Sequence, residues 1–122
     1  MTKEKLKRIV KRLPYILNML RSGKSQTCVY ISGEKELISI DEDVTATLQI
    51  MKEIIENEEI DWRKNIFTKI SKGYSDASIM VNSPIGRTKY YDAKKEFIDK
   101  IYQCCIFKGL VDYKDILGRK TG

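Results

Sequence analysis

One stretch, residues 73–109, constrains the fold of this chain more than any other part of its sequence. It has the pattern of a short helix, a tight turn and a long helix. Ser75 is a suitable N-cap for the short helix. Pro84 then ends that helix, because the residue before a proline is disfavoured in the α conformation. Gly86 can cap a second helix, which starts at Arg87 and runs to about residue 107. The order of these signals predicts a helix-turn-helix.

The long helix has an apolar face and a polar face. Its apolar residues recur at steps of three and four and form one stripe: Tyr90, Ala93, Phe97, Ile98, Ile101, Cys104 and Cys105. Polar residues near its start lie outside that stripe: Arg87, Thr88, Lys89, Tyr91, Asp92 and Lys95. A solvated polar face is the simpler interpretation. When such a helix binds DNA, however, its N-terminal end meets the base edges.

Nine residues are therefore candidates for contact with DNA. We expect Arg87, Thr88, Tyr91 and Asp92 to contact bases. We expect phosphate contacts from a second group: Lys72, Tyr74, Ser75, Lys89 and Lys95.

Three segments of the same region resemble a known family: residues 74–77 (YSDA), 83–91 (SPIGRTKYY) and 93–96 (AKKE). They are similar to the C-terminal segment of Gram-positive phage late-gene activators of the ArpU and RinA type. Those proteins are similar in turn to region 4 of sigma-70 factors, which reads promoter DNA through a helix-turn-helix. The resemblance covers roughly the last half of the chain. It implies a transcriptional activator in the bacterial host cytoplasm that binds double-stranded DNA, with RNA polymerase as a candidate partner.

Charge is distributed unevenly along the 122 residues, although the net charge is a moderate +6. Residues 1–24 carry eight basic groups and one acidic group, and residues 62–122 carry thirteen basic and six acidic groups. Residues 34–61 between them carry ten acidic and two basic groups. This pattern indicates one surface for nucleic acid and another that faces away from it or toward a basic partner. An ordinary mixed surface is the alternative.

Several classes of protein are disfavoured by what the sequence contains. There is no histidine, and the three cysteines have no zinc-ligand spacing, so we expect neither an enzyme nor a metal or cofactor site. Cys104 and Cys105 are interpreted as small buried residues, with a redox or cross-linking role as the alternative. Gly23-Lys24-Ser25 lacks the upstream glycine of a phosphate-binding loop. No apolar run approaches the length of a membrane span, which favours a soluble intracellular protein.

The rest of the chain is expected to support the helix-turn-helix. Residues 3–21 predict a basic amphipathic helix that Pro14 kinks or restarts. The simplest interpretation is that this helix packs on the domain with its lysines in water. Contact with the DNA backbone or with a membrane is the alternative. Residues 27–31 and 36–40 predict a short β-hairpin joined by residues 32–35.

Two further helices are predicted between the hairpin and residue 73. Asp41 begins an acidic helix whose core stripe is Val44, Leu48, Met51, Ile54 and Ile55. Asp61 caps the next helix, and Gly73 ends it. The inward residues of that helix are Trp62, Ile66, Phe67 and Ile70. Beyond it, we expect three late apolar residues to fold back on the core: Leu110, Val111 and Ile116.

The expected fold is therefore mainly α, with a C-terminal helix-turn-helix and one short hairpin at residues 27–40. We divide the chain into residues 1–58 for interaction and support, 59–111 for the helix-turn-helix, and 112–122 as a tail. A sequence-specific DNA-binding regulator fits this pattern best. Because one small reader buries limited surface, we expect either a homodimer or help from RNA polymerase. The alternative is a protein-binding module that contacts RNA polymerase or another regulator without reading DNA. RNA binding fits less well, since no exposed aromatic pair is predicted on a strand.

Overall fold

A computed structural model of the chain describes residues 1–112. It contains α1 (Lys3–Lys11), α2 (Leu13–Arg21), β1 (Gln26–Ile31), β2 (Glu34–Ser39), α3 (Glu42–Asn57), α4 (Asp61–Ser71), α5 (Asp76–Val81) and α6 (Arg87–Phe107). The described fold is mainly helical, with one two-stranded antiparallel hairpin, as the sequence predicts. Residues 113–122, which include Ile116 and all but the first residue of the expected tail, lie outside the described residues.

Two separate helices occupy the N-terminal region, because Pro14 restarts the helix rather than kinking it. α1 ends at Lys11, and Pro14 lies in the first turn of α2, where its missing N–H costs no hydrogen bond. The Thr2 side chain caps α1 by accepting from the Lys5 N–H. Both helices bury an apolar face, as the periodicity predicts, and leave most of their basic residues exposed.

The hairpin has a tighter turn than the sequence predicted. Residues 32–35 were expected to join the strands, but only Ser32 and Gly33 do so, and β2 begins at Glu34. Both turn residues have positive φ, 54° and 83°, which matches the twist of paired strands in a two-residue turn. The prediction was wrong because the strand pairing continues up to the turn through charged residues of low strand propensity.

The start of α3 agrees with the sequence, whereas the start of α4 does not. Asp41 caps α3, since its Oδ1 accepts from the Val44 N–H at 3.0 Å. Asp61 does not cap α4 but is its first residue, and the capping position falls on Ile60, which makes no side-chain bond. The Ile60 N–H instead donates to the Glu58 carboxylate at 3.2 Å. Gly73 follows the end of α4 with φ of 85°, as predicted.

The larger core cluster draws on every helix of the described chain. α6 lies against α3 and α4, and the Phe67 and Phe97 rings stack there with centroids 4.6 Å apart. α3 buries Ile50 and Thr47 more completely than two residues predicted for its stripe, Leu48 and Ile55. Val111 folds back into this core as expected, with Leu110 packed against it. A smaller cluster lies beneath the hairpin: Ile9, Ile16, Met19, Ile38 and Val44.

Candidate nucleic-acid interface

The buried face of α6 fixes the helix in the domain. Tyr90, Phe97, Ile101 and Cys105 are each fully buried, and Ala93 lies between them. Five of the seven residues predicted for the apolar stripe are therefore in the core, while Ile98 and Cys104 are half-buried. Because this face is anchored along most of the helix, its opposite face has a defined orientation toward solvent.

A polar cluster joins α5 to α6. The Asp76 carboxylate accepts a hydrogen bond from the Tyr90 hydroxyl and pairs with Lys94 Nζ at 2.9 and 3.0 Å. Burial acts to raise the pKa of Asp76, but the bonds from Tyr90 and Lys94 outweigh it and hold that pKa below its usual range. Burial, together with the bond to Asp76, raises the pKa of Tyr90 far above its ordinary value. The cluster sets the short helix against the first turns of the long one.

Five predicted site residues share the outer face of α6, which we define as Arg87, Thr88, Tyr91, Asp92 and Lys95. All five are exposed. The Arg87 guanidinium lies 5.6 Å from the Tyr91 ring centroid, which places these two side chains side by side. Lys95 pairs with Asp99 at 3.2 Å, but its side chain is 78% exposed, so this pair can exchange for another anion at little cost.

Lys89 lies away from the outer face. Its Nζ is 4.5 Å from the centre of the Trp62 ring, on the flank of α6 that faces α4. Trp62 itself packs against the core, as expected of an anchor. Nearby on the same flank, Arg63 Nη2 lies 2.5 Å from Glu96 and 3.3 Å from Glu58. Lys89 remains a predicted phosphate contact, at the edge of the interface.

The N-terminus of α6 is electropositive. Gly86 caps the helix without any side-chain hydrogen bond, and the first turn contains no acidic residue. The free backbone N–H groups of a helix start carry partial positive charge, to which Arg87 and Lys89 add their own. Such an end favours an anion, and phosphate groups commonly bind there.

The α4–α5 junction brings together the other predicted phosphate contacts, Lys72, Tyr74 and Ser75. Lys72 is exposed, and its carbonyl accepts from Arg21 Nη2 at 2.6 Å, which ties the junction to α2. Tyr74 is 52% exposed. The Ser75 hydroxyl caps α5 by accepting from the Ser78 N–H at 3.1 Å, as the sequence predicts.

Sequence reasoning missed residues that border the junction. A shallow cleft of about 260 Å³ lies beside Tyr74, and Lys69 and Asn82 also line it. Asn82 donates to the Ser78 carbonyl at 2.8 Å. The spacing of 13 residues between Lys69 and Asn82 gives no local signal, so their proximity depends on how α4 and α5 fold together.

Five of the ten acidic groups in residues 34–61 form ion pairs with residues that the structure describes. Arg12 donates two hydrogen bonds to Glu36 at 2.7 and 3.0 Å. The other pairs are Lys5 with Asp41 and Asp43, Lys108 with Glu53, and Arg63 and Lys100 with Glu58. The acidic middle of the sequence is thus partly neutralised by basic residues from both ends of the chain.

Other predicted features can be located as well. Burial raises the pKa of the Cys105 thiol to about 11, and Cys105 is enclosed in the core as predicted. Cys104 is only half-buried. Within residues 1–112, no cluster of metal-ligating side chains occurs. None of the helices in that range is long and apolar enough to cross a membrane.

Comparison of the chain with protein-family models, with curated proteins and with solved structures found no match. Any inference about function therefore rests on the sequence and the geometry of the chain itself.

Proposed function

We propose that this chain is a sequence-specific DNA-binding regulator of transcription and not an enzyme. The outer face of α6 enters the major groove, and Arg87, Thr88, Tyr91 and Asp92 contact base edges. Lys95 and Lys89 contact phosphates from α6, and the α4–α5 junction contacts the same backbone. As the sequence resemblance implies, the chain acts as a phage-type late-gene activator in the bacterial cytoplasm, with RNA polymerase as a partner.

One observation carries this proposal: the outer face of α6 is exposed and presents the cations Arg87 and Lys95. It follows a helix start at which Gly86 makes no side-chain capping bond and the first turn has no acidic residue. Its buried face is anchored by Tyr90, Phe97 and Ile101, so the outer face is presented on a rigid element. Arginine, threonine, tyrosine and lysine on such a face offer hydrogen-bond donors to both phosphates and bases.

The Asp76 cluster supports the same proposal. Lys94 pairs with Asp76 and so helps to hold α5 and α6 together. Arg87 makes no ion pair within residues 1–112, and its one ring contact is with Tyr91. Arg87 is therefore available to an external anion or base.

The alternative function is a module that binds a protein partner and never reads DNA. It rests on the acidic segment at residues 34–61, since an acidic surface repels phosphate. The internal pairs made by Arg12, Lys5 and Lys108 neutralise part of that segment and weaken this alternative. The DNA-binding proposal remains the better supported.

Binding to duplex DNA of random sequence separates the two functions. A labelled random duplex of about 25 base pairs is titrated with the protein at about 50 mM salt, and fluorescence anisotropy is followed as salt is raised. The DNA reader binds and loses affinity steeply with salt, whereas the protein module gives no change in anisotropy. Selection from a random DNA pool then yields an enriched motif for a sequence-specific reader and none for a non-specific binder.

A further inference from the structure

Both edges of the two-stranded hairpin lack a partner strand within residues 1–112. β1 pairs with β2 from Ile31 opposite Glu34 to Gln26 opposite Ser39, and no third strand joins this sheet within residues 1–112. In a hairpin with a two-residue turn, the pair beside the turn is hydrogen-bonded and the pairs then alternate. Alternate backbone groups of β1 must therefore point away from β2.

The outward-pointing groups belong to Gln26, Cys28 and Tyr30, and each of these residues is exposed. The side chain of Tyr30 is 74% exposed. The outward N–H and C=O groups of this six-residue strand make no hydrogen bond within residues 1–112. The edge is thus a template for one more antiparallel strand.

The two strands of the hairpin differ in their environment. β2 lies beside α1, and a groove of about 290 Å³ between them is lined by Arg8, Arg12 and Glu36 among others. The Arg12 guanidinium bridges this groove through its two bonds to Glu36. No β1 residue lines the groove, which therefore lies on the β2 side of the hairpin, while Gln26, Cys28 and Tyr30 of β1 are exposed.

Charge distinguishes the strands in the same way. Natural proteins protect exposed strand edges with charged residues, proline or bulges. β2 carries Glu34, Lys35 and Glu36, whereas the β1 sequence QTCVYI contains no charge and no proline. On the outer face of the hairpin, Leu37 is 59% exposed and lies opposite Cys28. The unprotected edge therefore adjoins exposed apolar surface.

We propose that β1 pairs antiparallel with β1 of a second copy of this chain, which gives a symmetric dimer with a continuous four-stranded sheet. An edge that pairs with itself about a two-fold axis is self-complementary, because each copy supplies the same donors and acceptors. The absence of charge on β1 means that two identical strands do not repel each other. The outward-pointing N–H and C=O groups of one β1 strand must face those of the other. Cys28 of one copy therefore lies opposite Gln26, Cys28 or Tyr30 of the second copy.

The dimer leaves the outer face of α6 open. The hairpin packs on the smaller core cluster, which contains no residue of α6. A strand of six residues buries little surface, so we expect a weak and reversible dimer in the micromolar range. Dimerisation does not depend on DNA binding, and failure of either proposal leaves the other standing.

Sedimentation velocity of the full chain over a range of concentrations tests the dimer. Cys28→Pro removes an outward donor at a position where an edge strand tolerates proline, and Cys28→Ser is the matched control that keeps the backbone groups. We expect the wild type and Cys28→Ser to shift from monomer to dimer up to about 500 µM, and Cys28→Pro to stay monomeric. Circular dichroism shows whether each variant is folded.

A second variant and a chemical probe make the result decisive. Tyr30→Lys places a charge on the edge without touching the backbone, and it is expected to shift the monomer–dimer midpoint at least tenfold to higher concentration. A short bismaleimide cross-linker should couple two copies through Cys28, and Cys28→Ser should abolish the product. A wild type that remains monomeric up to about 500 µM, or a dimer unchanged in Tyr30→Lys, would overturn the proposal.

Discussion

The N-termini of α3 and α6 differ in their capping residue and in the charge of their first turn. α3 begins with a capping Asp41 and an acidic first turn, and Lys5 pairs with Asp41 and Asp43 at 2.8 and 2.7 Å. α6 begins with Gly86, which makes no side-chain cap, and its first turn has cations where α3 has carboxylates. Asp41 and Asp43 are thus paired within the molecule, and Glu42 adds negative charge at the positive end of the helix dipole.

Compared with α3, the start of α6 lacks negative charge to offset its cations. Cations at the positive end of a helix dipole are unfavourable by a few tenths of a kcal/mol to about 1 kcal/mol each. Arg87 has no ion pair among the described residues to offset this, whereas Lys94, one turn from Tyr90, is bonded to Asp76. An external polyanion would supply the compensating charge. On the proposed function, the start of α3 is stable by itself, whereas the start of α6 is completed by DNA.

The largest effect is expected at Arg87. Arg87→Ala should lower discrimination between a selected DNA site and random duplex by about 1–3 kcal/mol, roughly 5- to 150-fold, because a bidentate contact to guanine is lost. The free energy of unfolding should change by less than about 0.5 kcal/mol, since the side chain is exposed. Fluorescence anisotropy and urea denaturation measure the two quantities.

The matched control for Arg87 is Lys52→Ala, which removes one exposed cation from α3. It should leave discrimination unchanged. Equal losses of affinity for the selected site and for random duplex in Arg87→Ala would contradict a base-reading role for Arg87.

The reverse pattern is expected at the start of α3. Asp41→Ala should lower the free energy of unfolding by about 0.5–2 kcal/mol, because it removes the cap bond to Val44 and one partner of Lys5. DNA affinity of the folded variant should not change. Glu42→Ala, in the same first turn but without a capping bond, is the control and should cost less. A loss of DNA affinity in Asp41→Ala that exceeds the loss in Arg87→Ala would remove the contrast between the two helices.

The polar cluster behind α6 gives a pH-dependent prediction. Asp76→Asn should lower the free energy of unfolding by about 1 kcal/mol at pH 7, because the charged bonds from Tyr90 and Lys94 weaken. The folded pKa of Asp76 is depressed, so this stabilisation is present above about pH 4 and is lost as pH falls below it.

The difference in stability between wild type and Asp76→Asn should therefore shrink as pH falls from about 5 to about 2 in urea titrations. The exposed Asp92→Asn on the outer face of α6 is the control, and its stability difference should be near zero throughout. A difference for Asp76→Asn that grows on acidification would show that the cluster does not stabilise the ionised carboxylate.

The smallest effect is expected at Gly86. Its φ of −75° is ordinary, and a Cβ at this position meets no atom within 4 Å, so a capping side chain fits. Gly86→Ser and Gly86→Asp should each raise the free energy of unfolding by a few tenths of a kcal/mol. Only Gly86→Asp should weaken DNA binding, because it places a carboxylate where a phosphate is expected. If both variants bind DNA as the wild type does, the start of α6 is not part of the interface.

Local signals in the sequence were enough to predict much of the fold. Apolar spacing predicts the buried stripe of α6, and Pro84 and Gly86 mark where the helix begins. The cap at Ser75 is likewise a signal that acts within a few residues. The turn at Ser32 was missed because a serine with positive φ is uncommon and the paired residues that follow it are charged. Ile60, rather than Asp61, occupies the capping position of α4. The Ile60 N–H is satisfied by the Glu58 carboxylate.

The candidate site was predictable in its exposure but not in its tertiary contacts. The exposed residues of α6 follow from helical periodicity alone. The bond from Tyr90 to Asp76 and the contact of Lys89 with Trp62 join residues that are far apart in sequence, so no local pattern encodes them. The pairing of Glu36 and Glu53 with basic residues from the two ends of the chain is non-local in the same way.

Nuclear magnetic resonance of the ¹⁵N-labelled protein during titration with the selected duplex tests the central claim most directly. We expect the amide signals of residues 72–75 and 86–95 to shift together, while those of residues 41–45 at the start of α3 stay in place. Shifts confined to residues 34–61, or the absence of any shift at a salt concentration where the chain is folded, would contradict DNA binding by the outer face of α6.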